Sequence, residues 1–169
     1  MQVRYQTAGS EQRMKIWVDA DACPGVIKDV LFRAAGRWEI PVTLVANMSL
    51  STPPSPFIDS VVVGAGSDVA DRKIAESTRP GDIVVTADIP LAALVVDAGG
   101  IAIDPRGELY TEQNIGARLQ ARNLMEQLRS SGMETGGPPP FSDRNKQEFA
   151  NQLDRLLVKR KRQQSRDDL

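Results

Sequence analysis

The chain has 169 residues, of which 41% are hydrophobic and 25% charged, so its length and composition are those of one globular domain. It has no histidine, which excludes Ser-His-Asp and Cys-His nucleophile systems and histidine zinc sites, and its single cysteine fits a reducing cytoplasm. The net charge of −1 gives no overall basic field, and the longest apolar region, 89–103, is too interrupted to cross a membrane.

The N-terminal part of the chain predicts a strand, a helix and a second strand. Residues 1–13 are polar, lack the order of a signal peptide, and are expected to form a disordered extension. A buried strand is predicted over 15–19. A helix over 24–38 would begin at a proline, with Cys23 as its N-cap, and 42–46 follows as the second strand.

The middle of the chain continues this alternation of strands and helices. Two helices are predicted, one capped by Ser67 or Asp68 and ending near residue 78, and one over 88–96. The strands predicted around them are 57–63, 83–86 and 101–103. Such alternation indicates parallel pairing with right-handed crossovers, and so an α/β fold with a mostly parallel sheet of about five strands.

The C-terminal third changes character and predicts added helices. These are expected over 111–130 and 142–159, separated by the rigid segment 136–140. Residues 159–169 are basic and almost without apolar side chains, which predicts a disordered tail and confines the folded domain to 14–158.

Acidic residues follow most of the predicted strands. In chain order they are Asp19, Asp21, Asp68, Asp71, Asp88 and Asp104. Because the carboxyl ends of parallel strands meet at one edge, these side chains are expected to cluster there. Two carboxylates about 4 Å apart repel each other by roughly 4 kcal/mol at an effective dielectric of about 20. Either some are protonated or a cation lies among them, and oxygen ligands suit Mg²⁺ or Mn²⁺.

A purely structural explanation stays open for several of these acids. Asp21, Asp68 and Asp88 stand where acids cap helices and stabilise the N-terminal dipole. Asp19 ends a strand, so we favour a functional role for it. Asp71 is favoured over Asp68 as a ligand, since capping accounts for Asp68.

Basic residues and the thiol give weaker indications. Arg106 follows the last predicted strand, and Arg118 and Arg122 lie on one side of the long helix, where they could hold phosphates. A solvated helix face explains them equally. Cys23 at a helix start could be reactive, but without a histidine partner a small buried or capping cysteine is the simpler interpretation.

Several long motifs resemble the YaiI/YqxD family of uncharacterised bacterial proteins. They are IWVDADACP at 16–24, GSDVAD at 66–71, GDIVVTADIPLA at 81–92, DPRG at 104–107 and GGPPPF at 136–141. The family is similar to PIN-like domains, metal-dependent ribonucleases with an acidic cluster at one sheet edge. The resemblance implies a three-layer α/β/α fold with Asp19, Asp71 and Asp88 as the catalytic acids. Asp21 and Asp68 would be auxiliary metal ligands.

These observations together predict a cytoplasmic, Mg²⁺- or Mn²⁺-dependent nuclease acting on RNA. One alternative is a phosphatase of the haloacid-dehalogenase type, because Asp19 and Asp21 imitate its acid pair, although Gly81-Asp82 precedes a strand where that family needs it to follow one. The other is a non-catalytic module that binds RNA or protein. The oligomeric state is left open.

Overall fold

The computed structural model describes residues 14–66 and 68–168, and there it contains six strands and five α-helices. The strands are β1 (Ile16–Asp19), β2 (Val42–Ala46), β3 (Ile58–Val62), β4 (Ile83–Val85), β5 (Ile101–Ile103) and β6 (Leu109–Tyr110). The helices are α1 (Gly25–Trp38), α2 (Val69–Ser77), α3 (Ile89–Asp97), α4 (Ile115–Ser130) and α5 (Asp143–Asp167). A short 3-10 turn (Ala20–Ala22) links β1 to α1.

The strands form one sheet in the order β3-β2-β1-β4-β5-β6, parallel throughout except for β6. Ile16 in β1 pairs with Val42 on one side and Ile83 on the other, so β1 lies at the centre. The chain winds outward from β1 through β2 to β3, then returns to β4 on the other side. The strand order therefore reverses between β1 and β4, which is where ligands bind in open α/β sheets.

Helices cover both faces of the sheet, which confirms the predicted three-layer α/β/α architecture. On one face, α1 and α5 bury Ile27, Leu31 and Phe149 against the sheet. On the other face, Ile74 of α2 and Leu91 of α3 pack into a second apolar cluster. Strands covered on both sides are mostly apolar, and every residue of β1, β2 and β4 is buried.

The ends of several elements differ from the predictions. The N-cap of α1 is Pro24 rather than Cys23. The predicted cap of α5 is confirmed, because the Ser142 hydroxyl accepts a hydrogen bond from the amide of Asn145. That helix then continues to Asp167, so the prediction of disorder is wrong for residues 159–167. Arginine, lysine and glutamine are good helix formers, and they extend the helix although most of them are exposed; Arg160 alone among residues 159–167 is half-buried, beside Gly81.

Two further differences lie outside these helix ends. Strand β6 was not predicted, because two residues are too few to show an alternating pattern. The predicted extension over 1–13 and the candidate cap Ser67 lie outside the described residues. In the part of the chain that is described, no helix is both long enough and apolar enough to span a bilayer.

Candidate active site

Asp19 is the last residue of β1 and one of the few buried carboxylates of the chain, with 8% of its surface exposed. Its Oδ2 accepts a 3.0 Å hydrogen bond from the hydroxyl of Thr86. Burial raises the pKa of this carboxyl, the Thr86 hydrogen bond opposes the rise, and the charges of Asp88 and Asp21 add to it. Asp19 is thus held at the centre of the sheet edge, where other acids make its charge costly.

Thr86, directly after β4, connects two of the acids and is only 1% exposed. Its Oγ1 donates to Asp19 and accepts a 3.0 Å hydrogen bond from the amide of Asp88. The sequence analysis missed this residue. The sequence feature that could have indicated it is a hydroxyl directly after a predicted buried strand and two residues before Asp88, a predicted metal ligand.

Asp88 is both a helix cap and a member of the acidic group. Its Oδ1 accepts a 2.9 Å hydrogen bond from the amide of Leu91, which caps α3 and confirms the structural explanation for that oxygen. Its charge also acts on Asp19 and on Asp71, whose pKa values it raises. One carboxylate therefore serves the helix and the sheet edge at once.

Asp71 lies in the first turn of α2 and faces the acids that follow β1 and β4. Burial is the largest cause that raises its pKa, to about 7, and the charges of Asp88 and Asp19 come next. A hydrogen bond to Asp88, which only protonated Asp71 can donate, adds to the rise, as does the charge of Asp68. Near neutral pH, Asp71 is consequently present in both its protonated and its ionised form.

Asp68 and Asp21 occupy the margins of the acidic group. Asp68 is at the N-cap position of α2, but its side chain makes no capping hydrogen bond there, so the predicted capping role is wrong. Exposed Asp21 accepts a 2.9 Å hydrogen bond from the amide of Asn47 and thereby ties the 3-10 turn to the end of β2. We name Asp71, together with Asp19, Asp68 and Asp88, the three acids whose charges raise its pKa, the acidic edge.

The donor atoms of the acidic edge suit a hard cation, since all are carboxylate oxygens and their mutual repulsion favours a positive charge among them. The positions of these oxygens do not yet form a metal site. Across residues 14–66 and 68–168, no three acidic or thiol side chains stand in an arrangement that could hold a metal ion without moving.

The three arginines predicted to bind substrate have partners within the protein. Arg106 donates a 2.7 Å hydrogen bond to the carbonyl of Pro139 and lies over the ring of Phe141, so it holds the GGPPPF segment. Arg118 is paired with Glu108, and Arg122 lies 2.7 Å from a carboxylate oxygen of Glu126. These contacts account for the three guanidinium groups without a substrate.

Cys23 and Asp82 are explained by structure. Burial raises the pKa of the Cys23 thiol to about 12, so the buried-cysteine interpretation stands and a reactive thiolate does not. Asp82 precedes β4, at the edge of the sheet opposite Asp19, and is 4% exposed. It accepts hydrogen bonds from the amides of Lys15 and Arg79 and from the Trp17 indole.

Comparisons with known proteins give one family and close relatives. A family described as "Uncharacterized BCR, YaiI/YqxD family" matches residues 17–159. A UPF0178 protein of Thioalkalivibrio sulfidiphilus (strain HL-EbGR7) is 59% identical over 147 residues, which cover 87% of this chain and 100% of that protein. UPF0178 proteins of Shewanella loihica and of Burkholderia cenocepacia (strain HI2424) are 60% and 62% identical over 146 residues, covering 86% of this chain and 97% of each relative. No solved structure matches the chain significantly.

Proposed function

The chain belongs to the YaiI/YqxD family, as its motifs predict, and we propose that it is a PIN-like, metal-dependent nuclease that hydrolyses phosphodiester bonds in RNA. The observation that carries the proposal is the acidic edge. The charges of carboxylates that follow β1, β3 and β4 raise the pKa values of Asp19 and Asp71 at the point where the strand order reverses. Acids arranged purely for stability would be kept apart or paired with cations.

In this proposal Asp19, Asp71 and Asp88 hold Mg²⁺ or Mn²⁺, and Asp21 and Asp68 are auxiliary. Such an ion, when bound, would supply a water of lowered pKa and charge stabilisation at the leaving oxygen. Thr86 fixes Asp19 through Oδ2 and leaves Oδ1 for the site. Asp71, with a pKa of about 7, loses its proton when it becomes a ligand, which makes metal affinity rise with pH through neutrality.

The haloacid-dehalogenase alternative gains nothing from the position of Asp82. Besides the acid pair that Asp19 and Asp21 imitate, such a phosphatase needs a Gly-Asp pair just after a later strand. Asp82 instead precedes β4 at the opposite edge and accepts three hydrogen bonds, from Lys15, Trp17 and Arg79. The non-catalytic module stays as the rival that experiment must separate. The free thiol of Cys23 is in keeping with a cytoplasmic location, which we also propose.

Cleavage of a labelled single-stranded RNA, with Mn²⁺ or Mg²⁺ and then with EDTA, tests the proposal. We expect metal-dependent cleavage by the native chain, and a loss of about 100-fold or more in Asp19→Asn with the fold retained. Asp97→Asn, at the far end of α3, is the matched control and should cleave as the native chain does. Normal cleavage by Asp19→Asn would sink the assignment.

Thermal unfolding with metal separates the nuclease from the non-catalytic module. At a metal concentration about 100 times Kd, the native state gains about 2.7 kcal/mol, which raises Tm by roughly 5–10 °C in a domain of this size. Asp19→Asn should lose most of that increase. An unchanged Tm, together with RNA binding but no cleavage, would favour the module.

A further inference from the structure

A groove of about 620 Å³ runs between α1 and α5, on the helical layer that covers one face of the sheet. Its apolar floor includes Val30 and Ala34 from α1 and Leu157 from α5. The proposed nuclease site makes no use of this groove, and the packing of the two helices leaves it open.

The walls of the groove are basic. Arg33 and Arg37 stand one turn apart on α1, and Lys146 comes from the facing wall on α5. Asp154 is the one acid among the residues that line it. Three positive charges against one negative charge give the groove a net positive charge that attracts anions.

The three cations of the groove differ in their pairing from Arg118 and Arg122 on α4. In the described residues, neither Arg33, Arg37 nor Lys146 lies within 4.0 Å of a carboxylate oxygen, whereas Arg118 and Arg122 are both ion-paired. An unpaired cation keeps its full charge for a ligand. The cations of the groove are therefore available to phosphates.

An aromatic ring closes one end of the groove. The Arg37 guanidinium lies 5.5 Å from the centre of the Trp38 ring, and the Lys161 ammonium lies 5.9 Å from it. Trp38 ends α1, whereas the first turn of α1 directly follows the 3-10 turn after Asp19. At 1.5 Å per residue the helix spans about 20 Å, so the groove leads away from the acidic edge.

We propose that this α1/α5 groove binds the backbone of single-stranded RNA and holds substrate at a distance from the acidic edge. The inference rests on the proposed function for its choice of nucleic acid. A positively charged groove that follows the backbone is one feature by which proteins hold single strands without reading their sequence. An acidic peptide would also satisfy the cations, and the test below separates it from RNA.

The test measures binding without cleavage. A fluorescent 12-nucleotide single-stranded RNA is titrated with the Asp19→Asn chain in EDTA, over a series of salt concentrations. The double variant Arg33→Gln/Arg37→Gln, made in the same background, removes two phosphate contacts. We expect affinity to fall about tenfold and the slope of log K against log salt to become shallower by about 1.4, at roughly 0.7 per phosphate.

A matched control removes two charges from outside the groove. Arg155→Gln/Arg166→Gln has the same net charge as the test variant, but both positions are exposed on α5 and neither lines the groove. It should bind RNA within about twofold of the parent, with an unchanged salt slope. Equal losses in the two double variants, or no loss in either, would overturn the proposal, as would tighter binding of polyglutamate than of RNA.

Failure of the groove and failure of the nuclease give different results. RNA that binds through Arg33 and Arg37 but is never cleaved by the native chain in Mn²⁺ contradicts the nuclease and supports the groove. RNA that is cleaved equally well by the native chain and by Arg33→Gln/Arg37→Gln contradicts the groove and supports the nuclease.

Discussion

Thr86 donates a 3.0 Å hydrogen bond to Oδ2 of Asp19, and this buried contact joins the ends of two neighbouring strands, β4 and β1. The same hydroxyl oxygen accepts a hydrogen bond from the amide of Asp88. A single side chain therefore sets the spacing of two acids whose charges repel each other. The hydroxyl lowers the pKa of Asp19 while burial raises it, so it keeps that carboxyl ionisable in a buried position.

Replacing Thr86 with valine should test this role, because valine has nearly the same shape but neither donates nor accepts. We expect the free energy of unfolding to fall by about 1–3 kcal/mol, since Asp19 Oδ2 and the Asp88 amide are both left without a partner. Urea unfolding followed by circular dichroism measures the loss. Thr86→Ser keeps the hydroxyl, so its free energy of unfolding should fall clearly less. Equal stability of the native chain and both variants would contradict the role of Thr86 in holding Asp19 and Asp88.

Asp71 should make the stability of the native state depend on pH. Its pKa is about 7 in the folded chain and close to 3.8 when unfolded, so between these values the folded state binds more protons than the unfolded state. The contribution of Asp71 to the free energy of unfolding is therefore greatest below about pH 4, and it declines as the pH rises to 7.

An Asp71→Asn variant removes this titration. At pH 8 without metal we expect its Tm to exceed that of the native chain by about 2–4 °C, a gain kept small because solvent screens this partly exposed group. At pH 4.5 the difference should largely vanish. Differential scanning calorimetry at both values measures it, and a lower Tm for Asp71→Asn at pH 8 would contradict the raised pKa.

The fold was predictable because its strands are buried on both faces and its helices are amphipathic, as with β2, whose predicted range over 42–46 is exact. The meeting of Asp19, Asp71 and Asp88 followed from strand direction and the family resemblance. Strand direction also predicted Asp104 there, but Asp104 accepts hydrogen bonds from the Arg106 amide and the Tyr110 hydroxyl. The role of Thr86 could not be predicted, since a hydroxyl after a strand is common and only the pairing of β1 with β4 places it beside Asp19. The role of Arg106 could not be predicted either, because its partner Pro139 lies 33 residues away.

Asp82 should be a major source of stability at the edge opposite the acidic group. It is buried and accepts hydrogen bonds from two backbone amides and the Trp17 indole. Asp82→Ala leaves all three donors unpaired, so we expect a loss of about 3 kcal/mol or more, together with a shift in tryptophan fluorescence. Asp97→Asn should change the free energy of unfolding by less than about 0.5 kcal/mol. A loss that small in Asp82→Ala would contradict this role.

Gly107 fixes how the turn after β5 meets α5. Its backbone φ of +97° is one that residues other than glycine rarely adopt. A Cβ at this position would lie 2.7 Å from backbone atoms of Glu148 and Phe149. Since Phe149 is fully buried, α5 cannot move aside without opening the core. Gly107→Ala should therefore cost about 2–4 kcal/mol in urea unfolding.

Gly116→Ala is the matched control for that substitution. Gly116 is in the first turn of α4, and a Cβ there meets nothing within 4 Å. Alanine should stabilise the chain by about 0.5–1 kcal/mol, because it reduces the conformational freedom of the unfolded state. If Gly107→Ala were as stable as Gly116→Ala, the close approach of the turn to α5 would not constrain the fold, and the docking of α5 would depend on its apolar side chains alone.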